Sequence, residues 1–388
     1  MSTHSSVFPV VSNQRVSTVS IPEARFGHSM VYDSVNKLIF LFGGSCDDHY
    51  ITSKDDLWTY DYVSNNWTKL TPSYAPARRL NFAMAYDSDS QRIILFGGNS
   101  ITAGWELADT WIYDYQTNSW SNAYPTTSPP GRSDHAMAYD PITKQTILFG
   151  GMRDVGDTTY LLNDTWAYDY EANTWTELYP TVAPQERYGT RMVYNSVEEK
   201  IVLYGGNSFG DLVDDSKLWT FDATTTSWEA LDSSETSGPR YWYGLTFDTH
   251  QNELIVFGGT DLGPEIFQSN ETWVYRFNNN QWTDVTKDYR PPACSLQSMV
   301  YDPENKKVVL FGGLAFDPSE IYGTAWIYDP ITQEWIDLEP EEISETQTQV
   351  SKETDTEIDT ETVTETDTDN SKGTGIASMI LITSFGLL

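Results

Sequence analysis

The sequence predicts an all-β chain built from six copies of one four-stranded unit, and three observations carry that reading. Double glycines begin at Gly43, Gly97, Gly150, Gly205, Gly258 and Gly312, in steps of 54, 53, 55, 53 and 54 residues. Each is followed by two tryptophans nine residues apart: Trp58 and Trp67, Trp111 and Trp120, Trp166 and Trp175, Trp219 and Trp228, Trp273 and Trp282, Trp326 and Trp335. No stretch sustains a 3.6-residue apolar period, so helix should be nearly absent. A repeat of this length reads first as a propeller or a solenoid. One four-stranded unit cannot bury its own faces, whereas six stacked radially close a ring and protect their edges. The expectation is a six-bladed β-propeller with four antiparallel strands per blade.

The first repeat shows why each strand forms. His28 to Tyr32 is strand a, and a polar turn leads into Lys37 to Phe42, a β-branched and aromatic run suited to a buried strand b. Strand c is Leu57 to Tyr60, where Trp58 and Tyr60 share a face by two-residue alternation. A turn through Asn65 and Asn66 returns as strand d, Trp67 to Leu70. In every copy an aromatic residue (Tyr32, Tyr86, Tyr139, Tyr194, Phe247 or Tyr301) stands 11 residues before the first glycine, and the next repeat starts 12 residues after the second Trp of the copy before it. All length variation falls between double glycine and first Trp, over 14 to 16 residues, which reads as a loop on a rigid frame.

These spacings divide the chain. Residues 1–24 form an N-terminal extension and 25–338 the propeller, with blades near 25–78, 79–131, 132–186, 187–239, 240–293 and 294–338. The segment Asn13 to Val16 lies where a strand d would precede the first repeat. Gln14 to Ser17 are therefore expected to pair at the rim of the last blade or extend it. Residues 339–374 are expected to be a disordered, acidic, Thr-rich stalk or tail: positions 339–372 hold 12 acidic and 2 basic residues, a run that repels itself and has no core to bury. The apolar terminus, 375–388, has 14 residues where a bilayer span takes about 20, and reads as a partial membrane anchor or a short hydrophobic tail. Met1 to Ser20 lacks the apolar core of a secretory signal. Stalk and apolar terminus point to surface display, the missing signal to the cytoplasm, and both readings stay open.

A net charge of −33 excludes a protein that neutralises nucleic-acid phosphates or an anionic membrane through a basic face. It fits a soluble, monomeric propeller, or cationic partners. Cys46 and Cys294 lie in different repeats and make neither a disulfide framework nor a zinc set. No phosphate-cradling loop, HExxH or Ser/His/Asp arrangement is evident. No cofactor, metal or catalytic residue is therefore expected.

A double Gly after a hydrophobic strand, then Trp-x-Tyr-Asp and a second Trp, resembles the kelch motif, in all six copies across residues 25–338. Departures are Tyr204 before the glycines of repeat four, Arg276 where Asp is usual, and Cys294 where the leading Arg is usual. The resemblance, with no catalytic constellation, implies a non-catalytic binding or scaffold module whose b–c loops and channel mouth bind a protein or peptide. A polysaccharide ligand is second, and a propeller enzyme (oxidase or glycan-active) with its site at the channel mouth is the alternative class. A kelch-type radical copper oxidase needs a Cys cross-linked to Tyr and paired His ligands, which Cys46, Cys294 and five His do not suggest; a sialidase needs Ser-x-Asp-x-Gly-x-x-Trp boxes, which are absent.

Two places escape the repeat and become the candidate site. Arg25, Arg79, Arg132, Arg187 and Arg240 open their repeats and should ring one channel mouth, either tying blades together or binding carboxylates through the guanidinium fork. Trp105 and Trp242 fall outside the pattern, Trp242 between Tyr241 and Tyr243. The variable b–c segments add Tyr160, Phe209 and Phe267 among acidic residues, aromatic anchors in a charged surround. His28 and His135, three residues after an Arg, read as packing or hydrogen-bonding residues.

Overall fold

The computed structural model describes residues 20–47, 49–208, 217–231, 237–261 and 267–338, with no helix among them. Six antiparallel sheets of four strands form the blades, and each takes all four strands from its own repeat. In blade one these are Ser29–Asp33, Leu38–Phe42, Leu57–Asp61 and Asn66–Leu70, strands a to d. The inner strands a of the other blades are Ala83–Asp87, Ala136–Asp140, Arg191–Asn195, Gly244–Asp248 and Ser298–Asp302, and they contact one another in a closed cycle around a central channel. Blade six is completed by its own strand d, Glu334–Leu338, paired with Ala325–Asp329. The closing strand expected at Gln14 to Ser17, the rest of residues 1–19 and the expected tail and terminus all lie outside the described residues.

Two aromatic layers explain why the tryptophans recur. The second Trp of each blade packs on the strand-c aromatic of its own blade and on the residue that precedes the double glycine in the blade before it. In blade three, Trp175 lies 5.1 Å from Tyr168 and 5.2 Å from Phe96, ring centre to ring centre. The same sandwich closes the circle, because Trp67 of blade one lies 5.2 Å from Phe311 of blade six. The first Trp of each pair sits further out, and Trp58, Trp111 and Trp166 donate their indole N–H to Asp56, Asp109 and Asp164.

Main-chain bonds join the blades near the axis. The second glycine of each pair donates to the residue opening the next blade: Gly44 to Arg79, Gly98 to Arg132, Gly151 to Arg187, Gly206 to Arg240, Gly259 to Cys294 and, across the seam, Gly313 to Arg25, all at 2.8–2.9 Å. Gly43, at φ +69°, is held because a Cβ there would sit 2.8 Å from the Arg79 carbonyl oxygen. A second, tighter ring lies two residues after each opening residue. The amide of Gly27 donates to Leu296, Asn81 to Gly27, Asp134 to Asn81, Gly189 to Asp134, Trp242 to Gly189 and Leu296 to Trp242, at 2.8–3.0 Å. All six residues of this girdle take positive φ, between 54° and 66°.

The variable b–c segments are more ordered than loops. In blade three strands b and c continue past the double glycine as a hairpin finger, Gln145–Val155 against Thr158–Asp169. Blade two carries a short hairpin, Asn99–Ser100 with Gly104–Glu106, and blade six another, Leu314–Phe316 with Ser319–Ile321.

His28 and His135 are buried and stand edge-on to Phe311 and Phe96 of the preceding blades. Burial, and behind it the charges of Arg25 and Arg191, holds His28 down to about 3, and burial lowers His135 in the same direction. Both are neutral when folded, while the unfolded imidazoles protonate near pH 6.5, so their contribution to stability is present above 6.5 and is lost as pH falls below it. At pH 5 the loss is about 2 kcal/mol for His28, and His135 adds to it in the same direction. In blade six Gln297 fills the same position and donates to the Phe257 carbonyl at 2.9 Å. The double variant His28→Gln/His135→Gln should therefore flatten the fall in urea-denaturation midpoint between pH 7 and pH 5. Equal slopes for variant and wild type would refute this account.

Candidate functional site

The five leading arginines do not offer their guanidinium groups to a ligand. Arg25, Arg79, Arg132 and Arg187 are fully buried and Arg240 is nearly so. Arg132 shows the arrangement: its Nε donates to the Pro130 carbonyl, one terminal nitrogen to the Gly150 carbonyl at 3.0 Å, and both terminal nitrogens to the two oxygens of Asp164 at 2.6 and 2.7 Å. Arg25 grips Asp56 and Arg79 grips Asp109 in the same forked way. Arg187 donates to Gln185 and Gly205, and Arg240 to Gly258, Ser237 and Glu271. The arginine charge lowers the pKa of Asp56, Asp109 and Asp164 against the opposing cost of their burial. In these three blades the fork that would have read a ligand carboxylate is spent inside the blade. Blade six, with Cys294 in the Arg position, has Thr324 where blade three has Asp164, so both charges are dropped together.

The aromatic candidates divide by exposure. Tyr241 and Tyr243 are buried, and the Tyr243 hydroxyl donates to the Tyr204 carbonyl, so these two belong to the core rather than to a contact surface. Trp242 is half-buried in the girdle, and its indole N–H donates to Asp134 at 2.7 Å. Trp105, Tyr160 and Phe267 are 52%, 50% and 60% exposed. Phe209 lies outside the described residues.

What these exposed rings stand on gives the face its shape. The blade-two hairpin carrying Trp105 is tied to the blade-three finger carrying Tyr160, because the Asp154 amide donates to Glu106 at 2.7 Å. On the other side of the ring, Gln268, next to Phe267, donates to the Leu314 carbonyl and accepts from the Phe316 amide of the blade-six hairpin, at 2.7 and 2.6 Å. Blades two and three stand opposite blades five and six in a six-membered ring. Between the two tethered walls lies an apolar floor of Phe26, Leu80, Leu296 and Leu314, with Tyr50, Trp242, Phe316 and Ile321 packed on it and half-buried. Asp154, Asp157, Asp261, Asp317 and Glu320 are exposed around it.

Sequence reasoning missed two features. The floor is built by residues whose importance shows only when the girdle sets them side by side. Arg191, four residues after Arg187, projects from the start of an inner strand where the other blades carry Ser29, Ala83, Ala136, Gly244 and Ser298. A comparison of repeats at that one position would have exposed it.

Loss of one partner of a buried, forked ion pair costs about 3–5 kcal/mol. Arg132→Ala should therefore lower the free energy of unfolding by that amount, and Arg132→Lys should recover only part of it, since an ammonium cannot span both Asp164 oxygens. Urea denaturation measures both, and a wild-type midpoint for Arg132→Ala would contradict the assignment.

Comparisons with known proteins agree with the architecture. A family model described as the KLHDC2/KLHL20/DRC7 kelch-repeats domain matches residues 10–183, and one described as the Attractin/LZTR1 beta-propeller matches residues 159–349. The chain is 26% identical over 280 residues to Mei4-dependent protein 6 of Schizosaccharomyces pombe, covering 67% of this chain and 39% of that protein. It is 24% identical over 321 residues to Kelch domain-containing protein 3 of Rattus norvegicus, covering 77% and 80%. Against putative adagio-like protein 2 of Oryza sativa subsp. japonica it is 26% identical over 277 residues, covering 66% and 42%. The chain thus spans about two fifths of two of these relatives and most of the third. With six four-stranded blades on one repeated motif, and both matches falling on kelch or propeller domains, the chain belongs to the kelch-repeat β-propellers.

Proposed function

We propose that the protein is a non-catalytic binding module that takes a protein or peptide across its b–c face. The observation that carries this reading is the apolar floor, topped by the half-buried Tyr50, Trp242, Phe316 and Ile321, set between two tethered walls that expose Trp105, Tyr160 and Phe267. Aromatic anchors around a desolvated centre supply most of the energy of protein–protein contacts, and a charged rim steers and selects. The acidic residues around this floor favour a partner that presents basic side chains beside an apolar segment. Ties between hairpins of neighbouring blades hold the anchors in place before binding, which spares the ordering cost of flexible loops. Kelch propellers commonly serve as protein-interaction modules, which agrees with this reading.

The test is the triple variant Trp105→Ala/Tyr160→Ala/Phe267→Ala of the full chain. Each side chain is exposed, so each change should alter stability by no more than about 0.5 kcal/mol. Immobilised wild type and variant are compared for the proteins they retain from an extract of the source cells, with thermal unfolding as the control. Proteins held by the wild type and lost by an equally stable variant support the proposal. Identical retained sets would rule out this face, and retention of polysaccharide through the same three rings would replace the protein ligand by a glycan.

A further inference from the structure

The central channel holds a charged group that the binding face does not use. A cavity of about 410 Å³ follows the inner strands, within the roughly 300–1,000 Å³ typical of sites that enclose small molecules. Its lining runs from the residue after the girdle, as at His28 and His135, to the a–b turns at Ser88, Pro141, Thr249 and Pro303. The girdle, with the Trp242 to Asp134 bond spanning from blade five to blade three, stands between this lumen and the b–c face. The lumen therefore opens at the opposite end, through the aromatic collar of the inner strands.

At one level of this lumen five of the six inward positions are small: Ser29, Ala83, Ala136, Gly244 and Ser298. The sixth is Arg191. Its guanidinium has one hydrogen bond, to the carbonyl of the preceding Thr190 at 3.1 Å, and no ion pair among the described residues. The five arginines that open the repeats spend donors on glycine carbonyls, and Arg25, Arg79, Arg132 and Arg240 on acidic side chains as well. Asp134 is the carboxylate whose charge acts on Arg191, and it already accepts from Trp242 and from Asn81. A half-buried guanidinium with unspent donors in a narrow lumen lacks the counter-charge that burial demands. Across the lumen stand the hydroxyl of Ser29, in the directly opposite first blade, and that of Ser298 in the sixth blade beside it. Ser298 accepts from the Met30 amide, which leaves its own O–H to donate.

We infer that the lumen is a site for a small monocarboxylate, its carboxyl group held in the fork of Arg191 and met from the far wall by the Ser29 and Ser298 hydroxyls. A planar carboxylate matches the guanidinium fork, and hydroxyl donors suit its remaining lone pairs. The a–b turns at that end also carry the buried carboxylates of Asp33, Asp87 and Asp302, outside the lining and bonded to turn amides, and their negative field disfavours dianions such as sulfate or hydrogen phosphate. This site lies on the other side of the girdle from the binding face, so it stands or falls independently of the proposed protein partner.

The experiment is saturation-transfer NMR on the full chain with sodium lactate and sodium acetate as probes, at ionic strength held constant with sodium chloride. Wild type should bind lactate, and Arg191→Gln should weaken it at least tenfold. Arg191→Lys should fall between them, since it keeps the charge and loses the fork. Ser29→Ala, which removes one half-buried hydroxyl of the lining, carries the test if the Arg191 variants fail to fold, and should weaken binding about threefold. No binding by wild type, unchanged affinity in Arg191→Gln or in Ser29→Ala, or sulfate binding as tightly as lactate, would each overturn the assignment.

Discussion

The propeller depends on a problem every closed ring of sheets must solve: where the main-chain groups at the inner ends of its strands find partners. Strands a converge on the axis, and their leading residues have no sheet neighbour on the inner side. Buried amides and carbonyls left unpaired would cost more than a ring of this size could recover. The chain answers with two circles of blade-to-blade hydrogen bonds, one from the second glycine of each pair and one through the girdle. Both require left-handed backbone at fixed places, which explains the glycines and also why Asn81, Asp134, Trp242 and Leu296 are held at positive φ. The ring is closed first in the main chain, and side chains then fill what that closure leaves.

Charge is used inside this frame in a way that surface charge is not. Each forked Arg to Asp pair ties the opening residue of a blade to the approach to strand c, beside the double glycine, and the first Trp of the pair adds its indole N–H to the same carboxylate. A buried pair of this kind yields little net stability over an apolar substitute, but losing one partner is costly. Its worth is in geometry: it fixes the base of the b–c segment in blades one, two and three. The segments above that base are then free to differ in length and sequence, as the blade-three finger and the short hairpins of blades two and six do.

The repeat made the fold legible. Gly43 and its counterparts, Trp67 and its counterparts, and the aromatic residue of each strand a announced strand order, blade number and packing, because each is demanded by a contact that recurs six times. The candidate site was legible only in part. Trp105, Tyr160 and Phe267 could be picked out because they break the pattern within segments bound to reach the surface. Tyr241 and Tyr243 break it too, yet are buried: they sit beside the girdle, where each blade presents different side chains to its neighbours. The arginines stood between two readings because their partners, such as Asp164, lie about thirty residues further on, and only the shared position two residues before the first Trp of each pair links the two. Arg191 was hidden by the opposite effect, a substitution at a position that carries no motif residue.

Completion of every blade from its own repeat has a consequence for the chain as a sequence of parts. The contact between blade six and blade one, Gly313 on Arg25 and Trp67 on Phe311, has the same chemistry as the other five junctions. Among the described residues no strand crosses it, so the order of blades along the polypeptide is a matter of connectivity alone. Any d–a connection is topologically equivalent to the pair of ends the chain happens to have. The fold is a cyclic object written out as a line, and where the line begins is left open by the physics of the ring.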